Sequence, residues 1–223
     1  VDYGEKAFHG VKIETIGFIL SQEKKDENVI IESYITKSKS IKNAKYIFDT
    51  KYPTWLIYRD SKFDDIASKM NFNIFDVFRD RQISKKMCSL EKSGAEDFIV
   101  LKAENITPNG LSFKEEQYYL NKVEGEKTSI FKFVEKNKNR QIFIAPNMTY
   151  YPRMNAVKGN TNYMFDGSCV LFITKKEKDE ALINPSFYHS DDFKYLWRIA
   201  QNYGTRSLNI DKNNAYYWGI LNV

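Results

Sequence analysis

From Phe72 onward, short runs of β-branched and aromatic residues alternate with Gly, Asn and Pro, a pattern that excludes a helical bundle. Phe72–Phe78, Phe98–Leu101, Tyr118–Leu120, Ile142–Ala145, Ser168–Ile173 and the closing Ala215–Leu221 are each too short for a stable helix and read as strands. Earlier, Val11–Leu20 (VKIETIGFIL) and Val29–Thr36 (VIIESYIT) read as two antiparallel strands, joined by the charged connection Ser21–Asn28. Helical spacing is clear in two places. Phe63, Ile66, Ala67 and Met70 share one face behind a Ser61 N-cap, and Phe193, Leu196, Trp197 and Ala200 share another, over Asp191–Asn202, behind Ser190. The expected class is α+β: mainly antiparallel and mixed short strands with a few helices. Pro53 marks a seam in chain character, so domains are expected at 1–53 and 54–223.

A 42% apolar content with 34 aromatic residues (16 Phe, 15 Tyr, 3 Trp) is enough for a real core, and Trp197 and Trp218 are expected inside it. No apolar run reaches bilayer-spanning length and no secretory leader pattern occurs, so a soluble protein of a reducing compartment is expected. Cys88 and Cys169 stand alone, and His9 and His189 have no cysteine neighbours at zinc spacing, so no metal site is expected. Gly-rich phosphate loops, HExxH and local Ser/His/Asp signatures do not occur. The acid pairs Asp64-Asp65, Glu115-Glu116 and Asp191-Asp192 read as helix-start or solvated charges, which argues against a metal-dependent nuclease. Asn184-Pro185-Ser186-Phe187 reads as a turn.

The charge pattern says more than the net +5. Lys127, Lys132, Lys136, Lys138, Arg140, Arg153 and Lys158 share one stretch with a single acid, Glu135; this fits either a polyanion-binding face or a solvated one. Three loop-like clusters carry Arg among amides and hydroxyls. The first holds Arg79, Arg81, Gln82, Lys85 and Lys86; the second Thr149, Tyr150, Tyr151, Arg153 and Asn155, with Lys158 beyond; the third Thr205, Arg206, Ser207 and Asn209. Arg can bond guanine bidentately, Asn and Gln suit adenine, and hydroxyls suit phosphates. Arg81, Gln82, Arg153, Asn155, Arg206 and Asn209 are therefore the candidates for reading base edges, although an Arg in a turn can equally bond carbonyls or carboxylates. Phe8, between Ala7 and His9-Gly10, is placed to keep an exposed ring before the first strand.

Ala7-Phe8-His9-Gly10 and the segment through Leu20 resemble motif VIII of adenine-N6 DNA methyltransferases. Asp80–Ile83, Phe98–Ile106, Ala145–Arg153, Asp166–Leu171 and Thr205–Ile210 resemble, in kind and order, segments of the target-recognition domains of restriction–modification methyltransferases. The resemblance implies the carboxy-terminal part of a type II adenine-specific enzyme: edge strands of a truncated α/β catalytic sheet, then a target-recognition domain. It implies that Phe8 stacks on the flipped adenine of the intact enzyme, a base that must leave the duplex to react. It also implies that S-adenosylmethionine and the catalytic motif belong to a missing amino-terminal catalytic domain. This chain would then hold no cofactor and be inactive alone. Double-stranded DNA is the implied partner and the bacterial cytoplasm the implied location. A specificity or protein-interaction module of a multisubunit restriction complex remains the alternative.

Overall fold

The computed structural model describes residues 1–19, 27–113, 115–158, 162–204 and 209–222, and the fold is α+β. The chain forms two compact units. Unit 1 comprises residues 1–69 and 195–208, and unit 2 comprises 70–194 and 209–223. Pro53 lies inside unit 1, so this division follows a different line from the seam in chain character.

Unit 1 is built on strands β1 (Asp2–Gly4), β2 (Thr15–Ile16), β3 (Asn28–Ser33) and β4 (Ser38–Asn43), in the sheet order β2-β1-β3-β4. Strand β1 pairs in parallel with β3, while β3 and β4 form an antiparallel hairpin. This corrects the expected first hairpin. Of Val11–Leu20 only Thr15–Ile16 is strand, Leu20 lies outside the described residues, as does most of the Ser21–Asn28 connection, and the antiparallel partner of β3 is β4. Apolar, β-branched sequence makes a strand only where a pleated surface receives it. Here Ile13, Phe18 and Ile19 lie outside β2 and are exposed instead. The turn that follows β3 closes at Lys37, whose positive φ of 53° leads the chain into β4. The short helix α1 (Ala44–Ile47) follows, then α2 (Ser61–Ser68), capped by Asp60 rather than Ser61: the Phe63 amide donates to Asp60 Oδ1 at 2.9 Å. Phe63, Ile66 and Ala67 of α2 are buried as their spacing predicts. Beside them the Arg59 guanidinium bonds Asp49 and Asp64 at 2.8 and 2.7 Å and lies over the Tyr46 ring at 4.3 Å.

Unit 2 contains β5 (Met70–Asn71), β6 (Phe75–Phe78), β7 (Cys88–Ser89), β8 (Phe98–Leu101), β9 (Ile106–Thr107), β10 (Gly110–Leu111), β11 (Tyr118–Leu120), β12 (Gln141–Pro146), β13 (Asn155–Lys158), β14 (Tyr163–Phe165), β15 (Cys169–Thr174) and β16 (Ile220–Leu221). Two four-stranded sheets dominate, β13-β12-β15-β6 and β14-β8-β11-β7. The first is antiparallel throughout; in the second, β14 runs parallel to β8. Helices α3 (Lys122–Glu126) and α4 (Ser129–Lys136) lie between β11 and β12. Ile130 and Val134 of α4 join Ile142, Ile144, Leu171 and Met164 in one buried cluster. Phe143 and Phe172 point to the opposite face, where Phe75, Trp218, Tyr188 and Phe193 form an aromatic layer with centroid spacings of 5.0–6.0 Å.

Helix α5 (Asp191–Ala200) begins as expected, with Ser190 Oγ accepting from the Phe193 amide at 3.1 Å. The closing strand is shorter than its sequence suggests, because Asp211 caps a helix, α6 (Lys212–Ala215), and only Ile220–Leu221 pairs. At Gly219 a Cβ would lie 2.3 Å from Asn71 O, so only glycine permits that backbone approach. Asn184 caps a 3₁₀ turn, Pro185–His189, by accepting from the Ser186 amide at 3.1 Å. Among the described residues, no helix is long and apolar enough to cross a membrane.

Candidate nucleic-acid interface

Strands β6 and β12 both run antiparallel to β15, which lies between them, so the segments that follow them leave the same end of the sheet. The connection entering β15 lies at that end too. Three segments distant in sequence (79–87, 147–154 and 166–168) therefore converge, with Asn209 added through its bridge to Met148.

Their junction is a polar node centred on buried Asn147, with Arg79 and Asn209 half-buried around it. Arg79 Nε donates to Gly167 O at 3.2 Å. With the Asn147 amide turned so that Oδ1 faces Arg79, the guanidinium donates to it at 2.9 and 3.2 Å, and the Asn147 and Asn209 amides meet at 2.7 Å. The backbone is tied at the same point, Asn147 N to Ser168 O at 2.8 Å and Ile210 N to Asn147 O at 3.1 Å. Burial, and then the neighbouring Arg81 charge, pull the Arg79 pKa below the ordinary guanidinium range. Gly167 lets these segments touch: a Cβ there would fall 2.8 Å from Arg81 Cγ.

Several predicted readers hold loops in place. The Arg153 guanidinium donates to three carbonyls: Ile106 O, Tyr151 O at 3.1 Å and Ala103 O at 3.2 Å. Its pKa is lowered by burial. Gln82 Oε1 accepts from the Ser129 amide at 2.9 Å at the start of α4, and Asp80 accepts from the Ser129 hydroxyl. Thr149 Oγ1 donates to Tyr151 O at 2.6 Å and accepts from Tyr151 N at 3.0 Å. Asn155 is buried within β13.

What this end of unit 2 presents outward is basic and aromatic. Arg81, Lys85 and Lys86 are exposed, and none forms an ion pair among the described residues. The 3₁₀ turn Lys85–Met87 leads into Cys88, whose thiol feels Lys102 and Asp166 while burial raises its pKa. Met148, Tyr150 and Tyr151, which follow β12 at the same end of the sheet, are exposed as well. The nearby acids Asp80 and Asp166 are engaged by Ser129 and by the Ser168 amide and hydroxyl; Glu104 is exposed.

The long basic stretch is less cationic than its sequence. Lys127 pairs with Glu124 at 2.6 Å, Lys138 with Glu135 at 2.7 Å, and Arg140 with Glu180, leaving Arg153 on its carbonyls. Lys158 pairs across from Gln141 at the opposite end of the β12–β13 ladder from Asn147. Phe8 belongs to unit 1, where its side chain is 58% exposed in the turn before Gly10. Thr205, Arg206 and Ser207 lie outside the described residues. Among the described residues, no group of three or more His, Cys, Asp or Glu side chains is disposed to hold a metal ion.

Compared with models of known protein families and with curated protein sequences, the chain matches none.

Proposed function

We propose that the chain recognises double-stranded DNA as the target-recognition part of an adenine-N6 methyltransferase of a bacterial, cytoplasmic restriction–modification system. The observation that carries this reading is the convergence of unpaired Arg81, Lys85 and Lys86 with exposed Met148, Tyr150 and Tyr151 at one end of the unit 2 sheet. Cations without carboxylate partners suit phosphates, and aromatic faces beside them suit bases. Arg81 is then the guanidinium left to reach a base edge, while Arg79, Gln82, Thr149, Arg153 and Asn209 fix the loops that carry it. In this reading Phe8 faces the flipped adenine, and S-adenosylmethionine is held by the catalytic part of the parent enzyme. That part would also cover the exposed apolar residues of unit 1, Ile13, Phe18, Ile30 and Ile41. The same apolar surface is what favours the second reading, a protein-interaction module of a multisubunit restriction complex.

The test is binding to a pool of randomised duplexes across a salt series, with the bound fraction sequenced. An enriched short motif is expected, with affinity falling steeply as salt rises through counterion release. Arg81→Ala is expected to relax one position at a cost of roughly 1–3 kcal/mol. Absence of binding even at low salt would sink the DNA reading in favour of the protein partner.

A further inference from the structure

We infer that Tyr151 is a stacking wedge that inserts its ring against a base step of the bound duplex. This inference rests on the DNA reading above and adds a contact of a different kind. Tyr151 is 71% exposed, and among the described residues its ring and its phenol oxygen meet no stacking or hydrogen-bonding partner, which leaves the ring face open to a ligand. The backbone behind it is held firmly. Thr149 Oγ1 bonds both the amide and the carbonyl of Tyr151, and Arg153 reaches the same carbonyl while its other nitrogens hold Ala103 and Ile106. Pro152 and Met154 are buried immediately after it, and Asn147 is tied on both sides before it. The loop is thus ordered before any partner arrives, so covering the ring carries little of the usual entropic penalty of fixing a loop.

The partner is a base rather than a protein surface because of what shares this end of the sheet with the ring. Arg81, Lys85 and Lys86 favour a polyanion, and exposed Met148 and Tyr150 extend the apolar edge that a wedge between base pairs needs. Every base has a π-face, so stacking adds affinity with little sequence preference. Its mark should therefore be a loss of affinity that is uniform across sequences and leaves the salt slope unchanged, unlike the loss of a phosphate or base-edge contact.

The experiment uses the whole chain, with Tyr151→Ala and Tyr151→Phe, on randomised duplexes and on relaxed closed-circular plasmid. Tyr151→Ala is expected to weaken binding by about 5- to 150-fold at an unchanged salt slope. Tyr151→Phe, which keeps the ring, should bind as the parent does. The parent and the Phe variant should unwind the plasmid on binding, and the Ala variant should not. Unchanged affinity and unwinding in the Ala variant would overturn the wedge and leave DNA recognition standing. Equal losses in the Ala and Phe variants would show that the hydroxyl matters rather than the ring, and would overturn it too. Failure of the parent chain to bind any duplex would remove both readings. Circular dichroism melting of each variant checks the fold, which an exposed side chain should not disturb.

Discussion

Strands β3 and β15 have the same length, six residues, and each has a neighbour on both sides in its sheet, yet β15 is buried at every position while β3 alternates. The difference lies above and below the sheets. In unit 2, Leu171 faces the cluster that includes Ile130 and Val134 of α4, and Phe172 faces Phe75 and Trp218 on the other side. In unit 1, Ile30 and Ile41 sit directly opposite each other across the hairpin and are 60% and 66% exposed. On the other face of that hairpin, Ile31 and Ser33 are buried, and Tyr58 bonds both Ser33 and Asp2. One sheet is covered on both faces and the other on one, a distinction that propensity alone does not encode. Unit 2 therefore has a self-contained core from which loops can be held rigidly. Unit 1 carries an apolar surface that a partner can use.

The largest expected effect tests the two-sided core. Phe172→Ala removes a fully buried ring from between Phe75 and Trp218 and should cost about 3–5 kcal/mol. Urea unfolding, followed by hydrogen exchange at the Ile144 and Leu171 amides, reads that loss within unit 2. A cost below about 1 kcal/mol would mean that the site collapses freely, and the contrast with unit 1 would disappear.

The buried strands were legible because a strand covered on both faces must be apolar throughout, and Phe98–Leu101, Ile142–Ala145 and most of Ser168–Ile173 appear where expected. Edge strands were harder. Ser38–Asn43 has one apolar residue, Ile41, and Asn155–Lys158 alternates too briefly to stand out. Helix α4 is hard to see in the sequence although Thr128 caps it and Ile130 and Val134 are spaced for one face, because Lys132 and Lys136 make the segment read as charge. At the site, the loops were recognisable but the partners of the guanidinium groups were not. Arg153 bonds carbonyls 47 and 50 residues back in sequence, and Arg140 finds Glu180 40 residues ahead. A local charge count cannot detect such partners, so the sequence of Lys127–Lys158 does not reveal that Lys127, Lys138 and Arg140 are ion-paired or that Arg153 ties loops together.

An intermediate effect tests whether the closure of unit 2 extends to its polar end. Asn147→Ala removes the buried amide facing Arg79 and leaves half-buried guanidinium donors without it, for an expected loss of about 1–3 kcal/mol. Arg81→Ala, at an exposed position on the same rim, should change stability by less than about 0.5 kcal/mol. Paired urea titrations distinguish the two. If both variants unfold alike, the node is not a structural clamp, and the division between loop-holding and outward-facing residues fails.

The smallest effect belongs to the open face of unit 1. Ile30→Thr with Ile41→Thr keeps β-branching at a directly opposed pair and removes only exposed apolar groups, so the lost cross-strand contact should cost less than about 1 kcal/mol. Solubility should rise, because the double change breaks an apolar patch at the sheet surface. Denaturant unfolding and sedimentation velocity over a concentration series separate the possibilities. A near-neutral change with one unvarying sedimentation coefficient leaves the face open in the isolated chain, ready for a different partner. A loss of several kcal/mol in stability together with concentration-dependent sedimentation of the parent would mean that copies of the chain already cover Ile30 and Ile41. The contrast between the units would then arise from viewing one of them without its neighbour.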